Sequence, residues 1–411
     1  MNTRCALLKS AHNSLPAMVM TRILALCICL GLADGALAVD FMENQVQVHG
    51  FLTQGVVRTD RNNFYGNSSE HASFDFREIG INASYRANPG LRLAAQVMSR
   101  TAGEMDDGRL WLDFAMADFT LLDDENKRAG VRLGRMKNAF GLYTETRDVA
   151  FTRPGVILPQ PIYFDRTRNL VLSGDGAQFY GEFAVPGGNL EIVASASKLP
   201  TNDRSSKATL VAPNAPGKLE QGSLAPGLRV LYETENRQWR GGLTYCTLSQ
   251  SYRPAAGDRI PPTQIDFAPW IASLQYTDDR WTLTGEYSQR KTKVVSGPVT
   301  VMDAIAENWY LQGQYRFAPG WELLLRYDSA ITDMDDRNGQ KAAARFGYPA
   351  HTRFAYDWVA GLRHDVTPSF MVRAEVHHVD GTNWLSALDN PVSAKMARHW
   401  NMFMLLGSYR F

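Results

Sequence analysis

Ile79-Gly80-Ile81-Asn82-Ala83-Ser84-Tyr85, then Ala87-Asn88-Pro89-Gly90, then Leu91-Arg92-Leu93-Ala94-Ala95-Gln96-Val97 is the stretch that decides the fold. On both sides of the turn the odd positions are apolar and the even ones polar or small, the period of a strand with one greasy face. Asn-Pro-Gly marks a tight turn, so the whole reads as a hairpin. The alternation recurs far downstream. Phe370, Val372, Ala374 and Val376 oppose Arg373, Glu375 and His377, and Trp309, Leu311, Gly313, Tyr315 and Phe317 oppose Gln312, Gln314 and Arg316. An arginine on a lipid-facing wall near the bilayer midplane costs about 2 to 4 kcal/mol, so the charged faces are expected to point inward.

Working outward, tight turns read at 87–90, 123–127, 186–189, 235–238, 278–280, 318–320 and 367–369. Between them lie longer links at about 59–72, 101–108, 138–176, 199–225, 253–263, 293–304, 331–352 and 381–397. Short and long connections therefore alternate along sixteen strands, the layout of an antiparallel, all-β transmembrane barrel with short periplasmic turns and long outer loops. A β-sandwich does not sort its connections this way, and no four-strand blade motif recurs as a propeller requires. Trp239, Tyr245, Trp270, Tyr276, Trp281, Tyr287, Trp309, Tyr315, Trp321, Tyr327, Trp358 and Tyr409 fall near strand ends, as interfacial aromatic girdles do. A barrel of this strand number is wide enough for an aqueous channel.

The amino terminus carries Arg4, Lys9 and Arg22, an apolar run Ile23 to Leu32, and Ala36-Leu37-Ala38. That is a secretory signal peptide, and the run is about half the roughly 20 residues of a membrane-spanning helix. Cleavage is expected after Ala38, leaving a barrel over 39–411 with the constricting loop at 138–176. Cys5, Cys27 and Cys29 depart with the leader, and Cys246 alone makes no internal disulfide. Removing Arg4, Lys9, Arg22 and Asp34 from 43 basic and 42 acidic residues leaves 40 against 41, which gives no reason to expect a nucleic-acid partner.

Three segments carry a family resemblance: Val46-Gln47-Val48-His49-Gly50-Phe51, the last strand from Trp400 ending in Tyr409-Arg410-Phe411, and Leu133-Gly134-Arg135-Met136-Lys137-Asn138-Ala139-Phe140-Gly141. The mature chain resembles the sixteen-stranded trimeric porins of Gram-negative outer membranes. The third segment is similar to one in phosphate-selective and related porins, with Ala139 where those usually have proline. The resemblance implies an outer-membrane homotrimer, contact with lipid and lipopolysaccharide, and recognition of the terminal Phe411 by barrel-assembly machinery. It also implies a third loop folded into the barrel. That loop is stiffened by Pro154, Pro159 and Pro161 and carries Ile157, Leu158, Ile162, Tyr163 and Phe164, more apolar than a surface loop requires.

The candidate constriction holds Arg135, Lys137, Arg147, Arg153, Arg166 and Arg168 against Glu145, Asp148 and Asp165. An excess of cations in a narrow space concentrates anionic solutes, and arginine forks suit carboxylate and phosphate oxygens. The same residues would serve equally to pin the loop to the wall as ion pairs. Arg92, Arg132, Arg229, Arg326, Arg363, Arg373 and Glu375 are expected on the lumen wall, either as a transverse field or simply as a solvated polar lining.

No cofactor, metal or catalytic group is expected. Asp333, Asp335, Asp336 and His351 share one loop, but Arg337 stands where a calcium loop needs a ligand. His377 and His378 point to opposite faces and do not chelate one ion. The function expected is a passive channel for small hydrophilic solutes with a preference for anions. The alternatives are an adhesive or structural receptor barrel and, behind it, a barrel hydrolase.

Overall fold

The computed structural model describes residues 39–41, 45–201 and 203–411. The expected signal peptide, 1–38, lies outside them. Sixteen strands follow one another in chain order: β1 Val46–Thr59, β2 Ser73–Asn88, β3 Leu91–Ala102, β4 Asp106–Asp124, β5 Lys127–Lys137 and β6 Ser173–Val185. Next come β7 Gly188–Lys198, β8 in two pieces, Lys218–Gln221 and Ala225–Thr234, and β9 also in two, Trp239–Cys246 and Leu248–Arg253. β10 Thr263–Thr277, β11 Trp281–Ser296, β12 Val299–Ala318, β13 Trp321–Ile331, β14 Phe354–Asp365, β15 Phe370–Gly381 and β16 His399–Arg410 complete the set. Each pairs antiparallel with the next, and β16 returns to β1 from Met402↔Thr59 to Arg410↔Phe51, so the sheet closes without an edge. A three-residue strand, Val39–Phe41, pairs against the start of β1.

The period-two reading fixes which face is wet. Val376 is 51% exposed while Glu375 beside it is 1% exposed, and Leu311 at 61% stands next to Gln312 at 5%. Apolar residues thus face outward, and the buried polar and charged ones fill the barrel. Two tiers of aromatics band the outer face. Near the short turns Trp239 packs on Tyr276 (4.9 Å), Trp281 on Tyr315 (4.4 Å) and Trp321 on His364 (4.1 Å). Toward the loops Trp270 packs on Tyr287, and Tyr327 lies between Trp309 and Trp358.

All seven tight turns fall where the sequence places them. The long links are less regular. The second spans only 103–105 and the sixth only Gly297 and Pro298, because the strands on either side run on into a hairpin turn that Gly297 closes at φ 54. The polar residues at 101–108 and 293–304 belong to strand ends rising above the membrane, where no greasy face is required. The third link is 138–172, a little shorter than expected, since β6 starts at Ser173.

Glycines in the first strands make room for aromatic rings. Phe51 of β1 lies over Gly80 of β2, and a Cβ at Gly80 would stand 2.4 Å from the ring. Phe76 covers Gly55 in the same way, and Phe411 covers Gly50, with which it also exchanges two backbone hydrogen bonds (3.1 and 3.0 Å). Ring over glycine pins register between neighbouring strands. Gly80→Ala is therefore expected to displace Phe51 at a cost of about 1 to 3 kcal/mol. The urea midpoint of the folded barrel measures it, and an unchanged midpoint would refute the pinning role.

Candidate functional site

Three loops, and not only the third, enter the barrel from the loop end. Phe64 and Tyr65 of the first loop and Trp384, Leu385 and Leu388 of the eighth form one buried cluster with Val156, Ile157 and Phe164 of the third and with Trp400 of β16. The opposite end of the third loop builds a second cluster, in which Phe140, Leu158, Ile162 and Tyr163 pack on Ile271 of β10 and Tyr310 of β12.

Between these clusters the third loop hangs from wall side chains. Arg373 donates to the carbonyls of Arg153 (2.9 Å) and Gly155, the Val156 amide donates to Glu375 (2.6 Å), and Arg326 donates to the Ile157 carbonyl (3.3 Å). Arg363 reaches the Phe151 carbonyl (3.3 Å). On the other side Glu286 accepts from the hydroxyls of Tyr163 (2.6 Å), Tyr310 (2.8 Å) and Ser273 (2.6 Å) and from the Leu142 amide (3.1 Å). Backbone groups of a buried irregular segment need such partners, and here inward-facing strand positions supply them.

The cationic excess read from the loop alone is largely cancelled by carboxylates from the wall. Lys137 pairs with Asp113 (2.6 Å) and with Asp148, which also binds Arg168. Arg153 pairs with Glu78 (2.8 Å), Arg147 with Asp165 (3.4 Å), and Glu145 with Arg229, whose other partner is Glu191 (2.6 Å). At the centre stands Arg100 of β3, 1% exposed, bound to Glu78, Asp106 and Asp165, with Tyr65 donating to Asp165 at 2.7 Å. Burial raises the pKa of Asp165, but Arg100 and Arg147 outweigh it and hold the carboxyl at about 2. The pinning role that the sequence left open is thus the geometry observed for most of these charges. Sequence reasoning passed over Arg100, although the alternation of β3 extends to it: Gln96, Met98 and Arg100 are all inward.

Arg135 does not join the others. Gly134, at φ 123, turns β5 where β4 parts from it, the last pair being Ala115↔Arg135. Arg135 then bridges the gap, donating to Asp175 of β6 through two nitrogens (both 2.8 Å) and to the free Leu112 carbonyl of β4 (3.0 Å). The bridge is partly exposed, so Arg135→Ala is expected to cost under about 1 kcal/mol and to leave ion selectivity unchanged. A changed zero-current potential in the variant would return Arg135 to the pore.

On the remaining wall, Arg92 donates to Gln47 (3.2 Å), Arg132 to Asp118 (3.3 Å) and Gln178 (2.8 Å), Arg326 pairs with Asp328 (3.0 Å) and Arg363 with Asp365 (2.8 Å). His377 is buried against Asp357 and Glu375, while His378 faces out to Asn401. Asp333 and Asp336 cap the turns of their own loop, and His351 contacts Thr382 (3.1 Å). Among the described residues no group of three or more His, Cys, Asp or Glu is arranged to hold a metal.

Three arginines stand apart from all this pairing: Arg166 of the third loop, Arg290 of β11 and Arg353 at the foot of β14. None has an ion pair or a side-chain hydrogen bond among the described residues, and each has a buried Nε without a partner. Arg166 and Arg290 both lie on the Phe164 ring, at 5.4 and 5.0 Å from its centre, and Arg290 also on Phe267 (5.2 Å). Burial and the nearby Arg353 guanidinium lower the Arg166 pKa to about 10, which leaves it charged at neutral pH. Only Arg166 was among the sequence candidates. The other two follow from no local motif.

The family model for phosphate-selective porins O and P matches residues 51–398. Solved structures with the same fold include the outer-membrane channel DcaP of Acinetobacter baumannii, 13% identical, covering 91% of this chain and 100% of that one at TM-score 0.59. The anion-selective porin of Comamonas acidovorans is 13% identical (89% and 99% covered, TM-score 0.52). A trimer form of in-vitro folded OmpT of Vibrio cholerae is 10% identical (89% and 99%, TM-score 0.53). No curated protein matches in sequence.

Proposed function

The chain belongs to the phosphate-selective porin O and P family, an outer-membrane channel for diffusion of solutes, and from there we propose that it prefers anions and is narrowed by its third loop. Family and fold point to a channel rather than an enzyme. The observation that carries the preference is the trio Arg166, Arg290 and Arg353, three inner arginines with neither an ion pair nor a side-chain hydrogen bond among the described residues. Paired charges present little net field to a passing ion. Unpaired guanidiniums, two of them on the Phe164 face, keep theirs and retain free N–H groups for carboxylate or phosphate oxygens. The anion-selective porin among the structural neighbours fits the same reading.

The arrangement as a homotrimer belongs to this proposal. The outward tryptophans, Trp239, Trp270, Trp281, Trp309, Trp321 and Trp358, all lie on β9 to β14. Outward positions of β2 to β5 are mostly aliphatic, such as Ile81, Leu93, Val97, Leu110 and Leu133, with Tyr85 and Phe119 among them but no tryptophan. A lipid-facing wall carries interfacial tryptophan, whereas a wall covered by a neighbouring subunit has no need of it.

Planar-bilayer recordings in a KCl gradient test the preference. Wild type is expected to give a zero-current potential of anion sign. In Arg166→Gln/Arg290→Gln/Arg353→Gln the anion-to-cation ratio is expected to fall by about fivefold for each charge, the equivalent of about 1 kcal/mol at 4 Å in water. Wild-type cation selectivity, or a triple variant with the wild-type potential, would refute the assignment.

A further inference from the structure

The outward wall of β9 to β14 is not flat. Between the two aromatic tiers lies an apolar hollow of 1410 Å³, bounded toward the turns by Trp239 and Tyr276 and toward the loops by Trp309, Tyr327 and Trp358. Its depth comes from glycine set opposite leucine. Gly285 of β11 faces Leu274 of β10 and Leu311 of β12 in register, and Gly313 of β12 faces Leu283 and Leu325. The opening is widest at Gly313, where a Cβ would meet only the tip of Leu283, at 3.3 Å, while the end of the Leu311 side chain leans over Gly285, 2.8 Å from where a Cβ would stand.

The hollow lies in the band between interfacial aromatics, where hydrocarbon surrounds a barrel. Beyond the outer tier the same face of β11 continues past Tyr287 to Lys291, which is exposed and has no ion pair or hydrogen bond among the described residues. Its register partners are Ala268 and Ile305, so no carboxylate lies directly across from it. The next outward lysine, Lys293, is different, since Asp266 and Asp303 flank it. The six steps from Gly285 to Lys291 span about 20 Å of strand at roughly 3.3 Å each, the separation of an acyl chain's middle from its head group once strand tilt is allowed for.

We infer that this hollow seats one acyl chain of an anionic, phosphate-bearing membrane lipid, with Lys291 meeting the phosphate. The lipid fills the space left by the two glycines, stacks its chain against the aromatic rims, and covers the face of the barrel that the trimer proposal leaves to the membrane. The inference rests on the barrel's place in the membrane and not on anion preference in the pore, so either can fail alone.

Native mass spectrometry of the folded mature protein in detergent, with phosphatidylglycerol or phosphatidylcholine added, tests it. Wild type is expected to retain phosphatidylglycerol over phosphatidylcholine. Gly285→Leu/Gly313→Leu is expected to lower retention of both by about tenfold, the equivalent of about 1.4 kcal/mol, and Lys291→Glu to lower phosphatidylglycerol more than phosphatidylcholine, whose choline offsets the charge of the same phosphate. Gly313→Leu by itself keeps the test decisive should the double variant fail to fold. Unchanged retention in Gly313→Leu overturns the seat, and unchanged retention of phosphatidylglycerol in Lys291→Glu overturns the contact of Lys291 with the head group. A change of oligomeric mass with lipid retention unaffected would assign the hollow to a second copy of the chain, which also overturns it.

Discussion

Arg100→Met is expected to unseat the third loop at a cost of about 3 to 5 kcal/mol, because it leaves a cluster of buried carboxylates without their shared cation. Glu78, Asp106 and Asp165 all bind this guanidinium, and among the described residues Glu78 is otherwise held only by Arg153. The effect is local, since the closed ladder from β1 to β16 does not depend on Arg100. The third loop does depend on it, through Asp165 and through the Tyr65 hydroxyl that joins the first loop to the third. Proteolysis within 138–172 under conditions where the wild-type loop resists is the expected signature, with added current noise in single channels.

Acid gives the same loop a second test, and its sign follows from Asp165. The folded carboxyl sits at about 2 against 3.8 for an ordinary aspartate, so its contribution is complete above about pH 4 and is lost as pH falls through 2. Wild-type conductance should therefore hold steady down to about pH 4 and become noisy toward pH 2. In Arg100→Met the carboxyl loses its main cation, its pKa rises, and the onset moves to higher pH. A variant whose loop resists protease as wild type does would sink the central role of Arg100.

Strand number, hairpin order and wet face were all legible in the sequence, because each of those is a local property. Alternation at Leu91–Val97 or Phe370–His377 fixes a face without knowledge of any partner, and Asn88-Pro89-Gly90 fixes a turn from its own dihedral preferences. Loop lengths were legible only in part. Above the membrane the strands of the β11–β12 hairpin run through Lys291, Lys293 and Asp303, so the greasy face that betrays a strand is absent and the polar residues read as loop.

The site was legible in kind but not in balance. The basic residues of the third loop are visible as a run, whereas their partners Glu78, Asp113 and Asp175 lie on strands distant in sequence and declare no relation to them. Counting charges along the loop therefore gave six cations against three anions, where the folded barrel leaves only Arg166 of those six without an acid. Arg290 and Arg353 join Arg166 through barrel closure, which no spacing in the chain encodes. The first and eighth loops were missed for a related reason. Phe64-Tyr65 and Trp384-Leu385 are too short to look like core, and they bury themselves only against one another and the third loop.

Removing the far anchor of that loop, by Arg373→Leu with Glu375→Leu, is expected to raise single-channel conductance while the barrel stays folded. The two side chains hold three backbone groups, the carbonyls of Arg153 and Gly155 and the amide of Val156, and hydrogen bonds to charged groups contribute about 1.5 to 3 kcal/mol each. Changing both together leaves the net buried charge unaltered, and His377, which loses Glu375, keeps Asp357 (2.8 Å), so a loop effect is not confused with a folding defect. The loop keeps its other attachment, since Tyr163 of the loop still donates to Glu286 of β11, which Tyr310 of β12 also holds. It is therefore expected to swing from that side and to widen the passage where Val156 and Ile157 now press on the wall. Selectivity should persist in part, because Arg290 and Arg353 belong to the wall and keep their place while Arg166 moves with the loop. Conductance equal to wild type in a correctly folded double variant would mean that ions pass elsewhere than beside this segment, and the third loop would lose its role as the constriction.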